Sequence, residues 1–202
     1  MIDSTTTARR DFAREYLGEL RRALEALSVT DLTRFVECLE RAYDEDRQVY
    51  VIGNGGSAAT ASHMACDLAK NVYPPASTAT VRRFRVTSLT DNVALITALA
   101  NDCGYERVFS EQLNNLLQKD DLLIAVSASG NSPNILAAIE LARARGAKTA
   151  ALLGFGGGRA RDMVDVALVV TSSDYGHVED LHIVLNHLVA AWMRQLLLST
   201  VS

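Results

Sequence analysis

Two stretches of the sequence decide the fold: VYVIGNGGS at residues 49–57 and LLIAVSASGNSP at residues 122–133. In each stretch, a short apolar run leads into a loop of small or polar residues, and a helical pattern follows. Short strands that are apolar throughout and alternate with helices are typical of a parallel sheet built from βα units. We therefore predict a doubly wound α/β fold, which binds its ligands at the carboxyl ends of the strands.

The same alternation runs along the rest of the chain. Strands are predicted at residues 49–53, 85–89, 122–127, 148–154 and 166–170. Helices are predicted at residues 8–27, 31–45, 57–70, 92–100, 106–117, 133–145 and 178–198. Strands linked in this way predict a three-layer sandwich around a five-stranded parallel sheet.

The first two helices are amphipathic and precede the sheet, and Thr30 is the predicted cap of the second. No change in composition divides the chain. We therefore expect a single domain over residues 1–202, with N-terminal helices at about 8–46 and an α/β core at about 48–198.

Proline and glycine mark two further loops. Pro74, Pro75, Ser77 and Thr78 predict a loop after the third helix, and the three glycines at 156–158 predict another before a short helix. The triple glycine could contact a phosphate. A flexible turn is the favoured interpretation, because no Lys-Ser/Thr pair follows it as in a P-loop.

The composition excludes several classes of function. With 49% hydrophobic and 22% charged residues, the chain has the balance of a soluble globular protein. A net charge of −4 and dispersed Lys and Arg residues argue against direct binding to nucleic acid. We find no apolar run of the about 18 residues that a membrane helix needs, and no apolar signal core near the N-terminus, so we expect a cytoplasmic protein without a membrane partner. Cys38, Cys66 and Cys103 lack CxxC spacing, which argues against a disulfide framework and a cysteine zinc site.

The first glycine-rich loop, at residues 53–57, has the features of an anion site. Its glycines would let the backbone approach an anion closely. Ser57 could cap the helix that follows, whose free N–H groups favour negative charge. A simple turn after a strand explains the same residues, so this loop alone does not decide between the two.

The second loop is more specific. Ser127, Ser129 and Ser132 place three hydroxyl groups around a glycine, and Pro133 occupies the expected first helical position. Such a loop at a helix N-terminus is an anion cradle. A capping serine would explain Ser132 but not the two serines at the strand end, so we favour the anion site.

Candidate acid, base and metal-binding residues lie on two helices. His63 and Asp67 are four residues apart and share one helix face, where they could bind a metal or a substrate, or make only a local surface contact. On the last helix, polar residues interrupt a pattern that otherwise predicts burial: Glu179, Asp180, His182 and His187. Because buried polar groups need partners, these residues suggest a shared site.

Four motifs in this order resemble the SIS (sugar isomerase) proteins of the sedoheptulose 7-phosphate isomerase, or phosphoheptose isomerase, family. They are GNGGSAATASH at 53–63, Asn-Asp at 101–102, SASGNS at 127–132 and EDLHIVLNH at 179–187. The resemblance spans about residues 30–195. It implies the SIS fold, an aldose–ketose isomerase acting on a ketoheptose phosphate, and a homotetramer whose sites use residues from neighbouring subunits.

The resemblance also implies the roles of individual residues. Substrate-binding positions are Asn54, Gly55, Gly56, Ser57, Asp102, Ser127, Ser129, Ser132 and Glu179. The catalytic pair is Asp67 and His187. A divalent ion, with zinc as the first choice, would be bound by His63, Asp67, Glu179 and His187, and no nucleotide cofactor is expected.

Two of these positions depart from the family pattern. Asp67 stands where the family has a glutamate, and Glu179 where it has a glutamine. Aspartate is one methylene shorter, and a misplacement of about 1 Å can cost about 100-fold in rate.

The alternative function is a non-catalytic SIS protein that binds a sugar phosphate or a replication-initiator protein. We favour the enzyme because both acid–base positions keep an ionisable side chain, a carboxylate at Asp67 and an imidazole at His187. His182 is expected to be a structural histidine with its hydrogen bonds satisfied.

Overall fold

The computed structural model describes residues 4–73 and 82–199. The loop predicted at Pro74, Pro75, Ser77 and Thr78 lies outside these residues. The strands are β1 (Gln48–Gly53), β2 (Arg85–Ser88), β3 (Leu122–Ser127), β4 (Lys148–Leu153) and β5 (Val166–Val169). The α-helices are α1 (Ser4–Glu25), α2 (Val29–Asp44), α3 (Gly56–Cys66), α4 (Val93–Cys103), α5 (Val108–Leu116), α6 (Pro133–Ala144), α7 (Ala160–Met163) and α8 (Tyr175–Ser199).

The five strands form one parallel sheet in the order β2-β1-β3-β4-β5. Each strand begins and ends within one residue of its predicted bounds. The predicted α/β fold with a five-stranded parallel sheet is therefore confirmed. The strand order reverses between β1 and β3, which is where doubly wound folds bind their ligands.

Helices cover both faces of the sheet, and each face has its own hydrophobic core. One core joins α2, α3 and α8 to the sheet, with Phe35, Met64 and Leu185 among its buried residues. The other lies under α5 and α6, with Leu113 and Ile139 fully buried. Because both faces are covered, all six residues of β3 are buried, which explains why this strand is apolar almost throughout.

The N-terminal caps of two helices differ from the prediction. Helix α2 begins at Val29, so its cap is Ser28, whose Oγ accepts the Asp31 N–H at 3.1 Å, and Thr30 lies inside the helix. Helix α3 begins at Gly56 with Gly55 at the cap position, so Ser57 does not cap it but lies buried in its first turn. In both cases the helix begins one or two residues earlier than the cap pattern indicated.

Helix α8 has the length and apolar composition of a membrane-spanning helix, but much of it is buried inside the fold. The core helix of a soluble protein meets the same criteria. The expectation that no stretch of the chain has the length and apolar character of a membrane helix is therefore wrong for α8, although one side of this helix packs against α3 in the core.

His182 lies on the buried face of α8 and is fully buried. Within the described part of the chain, no hydrogen bond of ordinary geometry reaches either ring nitrogen. The prediction of a structural histidine therefore agrees with its burial, while the expected hydrogen bonds are missing. Burial lowers the pKa of His182 to about 4, and the backbone of Leu153 opposes this effect only in part.

This histidine should make the stability of the protein pH-dependent. In the unfolded chain His182 titrates near its ordinary pKa of 6.5, so between about pH 6.5 and 4 the unfolded state binds more protons than the folded one. The free energy of unfolding therefore has its full value, as far as His182 is concerned, above pH 6.5. It falls as the pH drops towards 4, and His182 accounts for about 2–3 kcal/mol of this loss. Urea unfolding of the parent and of His182→Leu at pH 7 and 4.5 measures the effect. The variant should lose less stability than the parent between these pH values, and equal losses would contradict the assignment.

Candidate active site

The two predicted anion loops lie side by side at the carboxyl edge of the sheet. Strands β1 and β3 are neighbours, and Gly53 pairs with Val126 at their ends. The loop after β1 leads into α3, and the loop after β3 leads into α6. The structure therefore brings together two helix N-termini, where free backbone N–H groups favour an anion.

Glycine is required in the first loop for two different reasons. A Cβ atom on Gly53 would lie 2.3 Å from the backbone oxygen of Ser57, so only glycine allows the strand to end so close to the helix. Gly55 has φ +56°, a conformation that side chains disfavour. The loop is thus a tight turn whose geometry the sequence specifies.

Asn54 connects the two loops. Its side-chain amide and that of Asn134, in the first turn of α6, exchange two hydrogen bonds of 2.9 and 2.8 Å. The Tyr105 hydroxyl donates a third, of 2.9 Å, to Asn54 Oδ1. The resemblance assigned Asn54 to the sugar, and the structure adds that its amide also fixes the distance between the loops. Sequence reasoning missed Asn134 and Tyr105, although Asn134 directly follows the Ser-Pro that starts α6.

The serine loop presents hydroxyl groups that can donate to an anion. The Oγ atoms of Ser127 and Ser129 accept backbone N–H groups from Gly130 and Asn131, at 3.1 and 3.2 Å. Their O–H hydrogens remain available as donors. Ser132 is at the cap position of α6 with Pro133 next, as predicted, but its side chain makes no capping hydrogen bond.

The triple glycine forms a turn, as expected, and this turn packs against the serine loop. A Cβ atom on Gly130, which has φ +61°, would lie 2.0 Å from the backbone oxygen of Gly157, and one on Gly158 would lie 2.3 Å from that of Ser129. The Ala160 N–H donates to the Gly130 oxygen at 2.9 Å. The glycines therefore allow two backbones to touch and help to hold the serine loop in place.

A second polar group lies where the end of α3 meets α8. Asp67 Oδ2 is 3.4 Å from His63 Nε2 and 3.9 Å from His187 Nε2, and the two imidazole nitrogens are 3.2 Å apart. Asp67 is 2% exposed, whereas both imidazoles are exposed. The structure thus brings together three of the four predicted metal-binding residues, with the carboxylate beneath and the imidazoles facing solvent.

The spacing of these donor atoms fits zinc. A tetrahedral zinc ion with bonds of about 2.0–2.1 Å holds its ligand atoms about 3.4 Å apart. The three distances in this group, 3.2, 3.4 and 3.9 Å, are close to that value. Two imidazoles and one carboxylate are also a known ligand set for catalytic zinc, which leaves a fourth position for substrate or water.

Glu179 lies apart from this group. Its carboxylate is packed against Gly56, where an added Cβ atom would lie 2.5 Å from both oxygens. Helices α3 and α8 run side by side in the same direction, and Glu179 precedes His187 by eight residues, or about 12 Å of helix. Glu179 therefore reaches the start of α3, beside the first anion loop, while His187 reaches its end. This position agrees with the predicted contact to substrate and differs from the predicted four-residue metal set.

Asp102 lies at the exposed end of α4. Its carboxylate accepts a hydrogen bond of 2.8 Å from Asn101. Among the described residues it makes no hydrogen bond or ion pair with the loops or the histidine group. Asp102 lies three residues before Tyr105, whose hydroxyl donates to Asn54, and its assignment to the sugar stays a prediction.

Comparisons with known proteins agree with these features. The family model described as "SIS domain" matches residues 14–154. A phosphoheptose isomerase from Pelobacter propionicus is 37% identical over 94% of this chain and 95% of its own, and one from a Nitratiruptor species is 36% identical over 88% and 91%. The solved phosphoheptose isomerase from Neisseria gonorrhoeae superposes with a TM-score of 0.83 at 28% identity, covering 92% of this chain and 98% of its own. The chain therefore belongs to the phosphoheptose isomerase family of SIS-domain proteins.

Proposed function

We propose that this protein is an aldose–ketose isomerase that converts sedoheptulose 7-phosphate to D-glycero-D-manno-heptose 7-phosphate. The observation that carries the proposal is the His63, Asp67 and His187 group at the end of α3, the helix that begins at the first anion loop, in a chain whose relatives are phosphoheptose isomerases. The alternative of a non-catalytic binding protein is not favoured, because those relatives are named as enzymes.

The anion loops suit the phosphate end of such a substrate. Ser57, Ser127, Ser129 and Ser132 surround the N-termini of α3 and α6, where backbone N–H groups and hydroxyls can donate to phosphate oxygens. Glu179 beside Gly56 can accept hydrogen bonds from sugar hydroxyls, and the second amide N–H of Asn54 can donate one. We assign these residues, with Gly55, Gly56 and Asp102, to substrate binding.

The reaction needs a proton to move between the first two carbons of the sugar through an enediol. A base removes the proton from C1 of the ketose while the carbonyl oxygen at C2 gains one. The proton is then delivered to C2 while the C1 hydroxyl loses its own proton, so that C1 becomes the aldehyde carbon and the oxygen at C2 stays a hydroxyl. We assign these transfers to Asp67 and His187, whose Oδ2 and Nε2 atoms lie 3.9 Å apart. Asp67 is buried, so the substrate would reach it only beside the imidazoles that cover it.

We further propose that the site binds a divalent ion, with zinc as the first choice. His63, Asp67 and His187 would bind it. A bound zinc ion would polarise the oxygen atoms at the reacting end of the sugar. Asp67 would then orient both imidazoles as well as take part in proton transfer.

We expect a cytoplasmic homotetramer. Helix α4 buries none of its residues within the chain, and Val93 is 68% exposed. On α8, Val184, Leu188 and Trp192 are also exposed and lie on the same face as His187. Apolar surface of this extent favours association with further copies, which would then border the site. Light scattering at micromolar concentration should give the mass of four chains, and a monomer would contradict this expectation.

Incubation with sedoheptulose 7-phosphate tests the proposed function. A heptose 7-phosphate should accumulate to equilibrium. The rate should fall after treatment with a chelator and return when zinc is added. A protein that forms no aldose from this substrate, with or without zinc, would refute the proposal.

A further inference from the structure

The Asp67 carboxylate is held by two side-chain amides. Asn186 Nδ2 donates to Asp67 Oδ2 at 2.8 Å, and Asn71 Nδ2 donates to Oδ1 at 2.5 Å. Asn186 comes from α8, and Asn71 from the π-helical turn Asp67–Asn71 that continues α3. Each carboxylate oxygen thus has an amide donor of its own, from two different elements.

We propose that Asn186 and Asn71 are positioning residues that fix the Asp67 carboxylate beneath the two imidazoles. This inference rests on the proposed function of the site. An aspartate carboxylate lies one methylene closer to its own helix than a glutamate carboxylate would. The amides hold this short side chain with Oδ2 towards His63 and His187, at 3.4 and 3.9 Å.

The arrangement of α8 supports this role. Asn186 is 1% exposed and points inward, while the next residue, His187, points outward. One turn of helix therefore carries both the amide that binds Asp67 Oδ2 and the imidazole that faces the same atom. Any movement of α8 would shift both groups together relative to α3.

Stability of the fold does not explain Asn186. Its Oδ1 atom is buried and has no hydrogen-bond partner within the described residues. An unsatisfied buried polar atom is destabilising, and an apolar side chain of similar size would avoid that cost. An asparagine at this position is therefore better explained by its bond to Asp67 than by packing.

The Asn186→Ala variant tests the inference through metal affinity as well as activity. Loss of a residue that orients a metal ligand weakens metal binding by about 10- to 100-fold. We expect this loss when zinc competes with a chromophoric chelator, and a similar fall in kcat with KM within about twofold of the parent. The matched control is Gln112→Ala, which removes a buried amide that donates only to the backbone of Leu89 and Val108. It should keep the zinc affinity of the parent.

Two further variants keep the test decisive. Asn71 is exposed, so Asn71→Ala should fold even if Asn186→Ala does not, and it should weaken zinc binding by about tenfold. In the double variant Asp67→Glu, Asn186→Ala, the longer glutamate side chain can occupy the space that the Asn186 amide leaves. It should exceed Asn186→Ala in zinc affinity and kcat.

The outcomes separate the inference from the proposed function. If the parent binds zinc and isomerises the substrate while the Asn186 and Asn71 variants match Gln112→Ala, the positioning role is overturned and the proposed function stands. If the double variant is no better than Asn186→Ala, Asn186 does not compensate for the short carboxylate, and that part of the inference is wrong. A parent with neither zinc binding nor turnover refutes the proposed function, and the positioning role with it.

Discussion

Replacing Asp67 by asparagine should lower kcat by about 10,000-fold, the upper end of what general acid–base catalysis contributes. The effect should be that large because the change removes both the proposed base and a proposed zinc ligand. The amide keeps the shape of the side chain, so the fold should remain intact. Steady-state kinetics with sedoheptulose 7-phosphate measures the change.

Binding of the sugar phosphate provides the control within this experiment. The anion loops are separate from Asp67, so the dissociation constant of the substrate, measured by calorimetry, should change by less than about tenfold. Asp44→Asn is the matched variant, because it removes one exposed carboxylate at the end of α2, away from the site. His187→Ala should resemble Asp67→Asn, and the double variant should be little worse than either, since residues that act as one unit lose activity non-additively. Near-normal turnover by Asp67→Asn would refute the assignment.

The double variant Ser129→Ala, Ser132→Ala should bind the sugar phosphate about 100-fold more weakly or worse. Hydrogen bonds to a charged group contribute about 1.5–3 kcal/mol each, and this variant removes two proposed donors. The Ser129 oxygen also accepts the Asn131 N–H, so its loss should loosen the loop. Calorimetry with the substrate, or with inorganic phosphate as a smaller probe, measures the effect.

A serine pair elsewhere on the chain controls for general effects of the substitution. Ser110→Ala, Ser199→Ala removes two exposed or half-exposed hydroxyls that bond only to backbone oxygens of their own helical segments. It should keep the affinity of the parent. If both double variants bind the sugar phosphate like the parent, the serine loop is not part of the site.

Much of the fold was predictable because it depends on local patterns. The three central strands, β1, β3 and β4, are almost fully buried, and each ends at or just before a glycine or serine that the sequence displays. Both anion loops were recognisable from their residues, whereas their adjacency follows from the observed strand order, in which β1 and β3 are neighbours. His63 and Asp67 share a helix face by spacing alone, and the structure places them 3.4 Å apart.

The parts that sequence reasoning missed depend on contacts between distant elements. Nothing in the stretch from Asp67 to Asn71 indicates the π-helical turn that the structure has there. Asn186 looks like a polar interruption of an apolar helix until α8 is placed beside Asp67. The predicted four-residue metal set came from resemblance, and only the parallel packing of α3 and α8 places Glu179 at the other end of α3. The missing hydrogen bonds of His182 are likewise a property of the packed core.

Isomerisation in deuterium oxide, followed by NMR, tests the central claim most directly. The base that carries the transferred proton can exchange it with solvent before it reprotonates the enediol, so part of the aldose formed from sedoheptulose 7-phosphate should carry deuterium at C2. We predict this product with the parent protein and its near absence with Asp67→Asn. Recovery of unchanged ketose without deuterium at C1, after prolonged incubation of the zinc-loaded parent, would contradict the account.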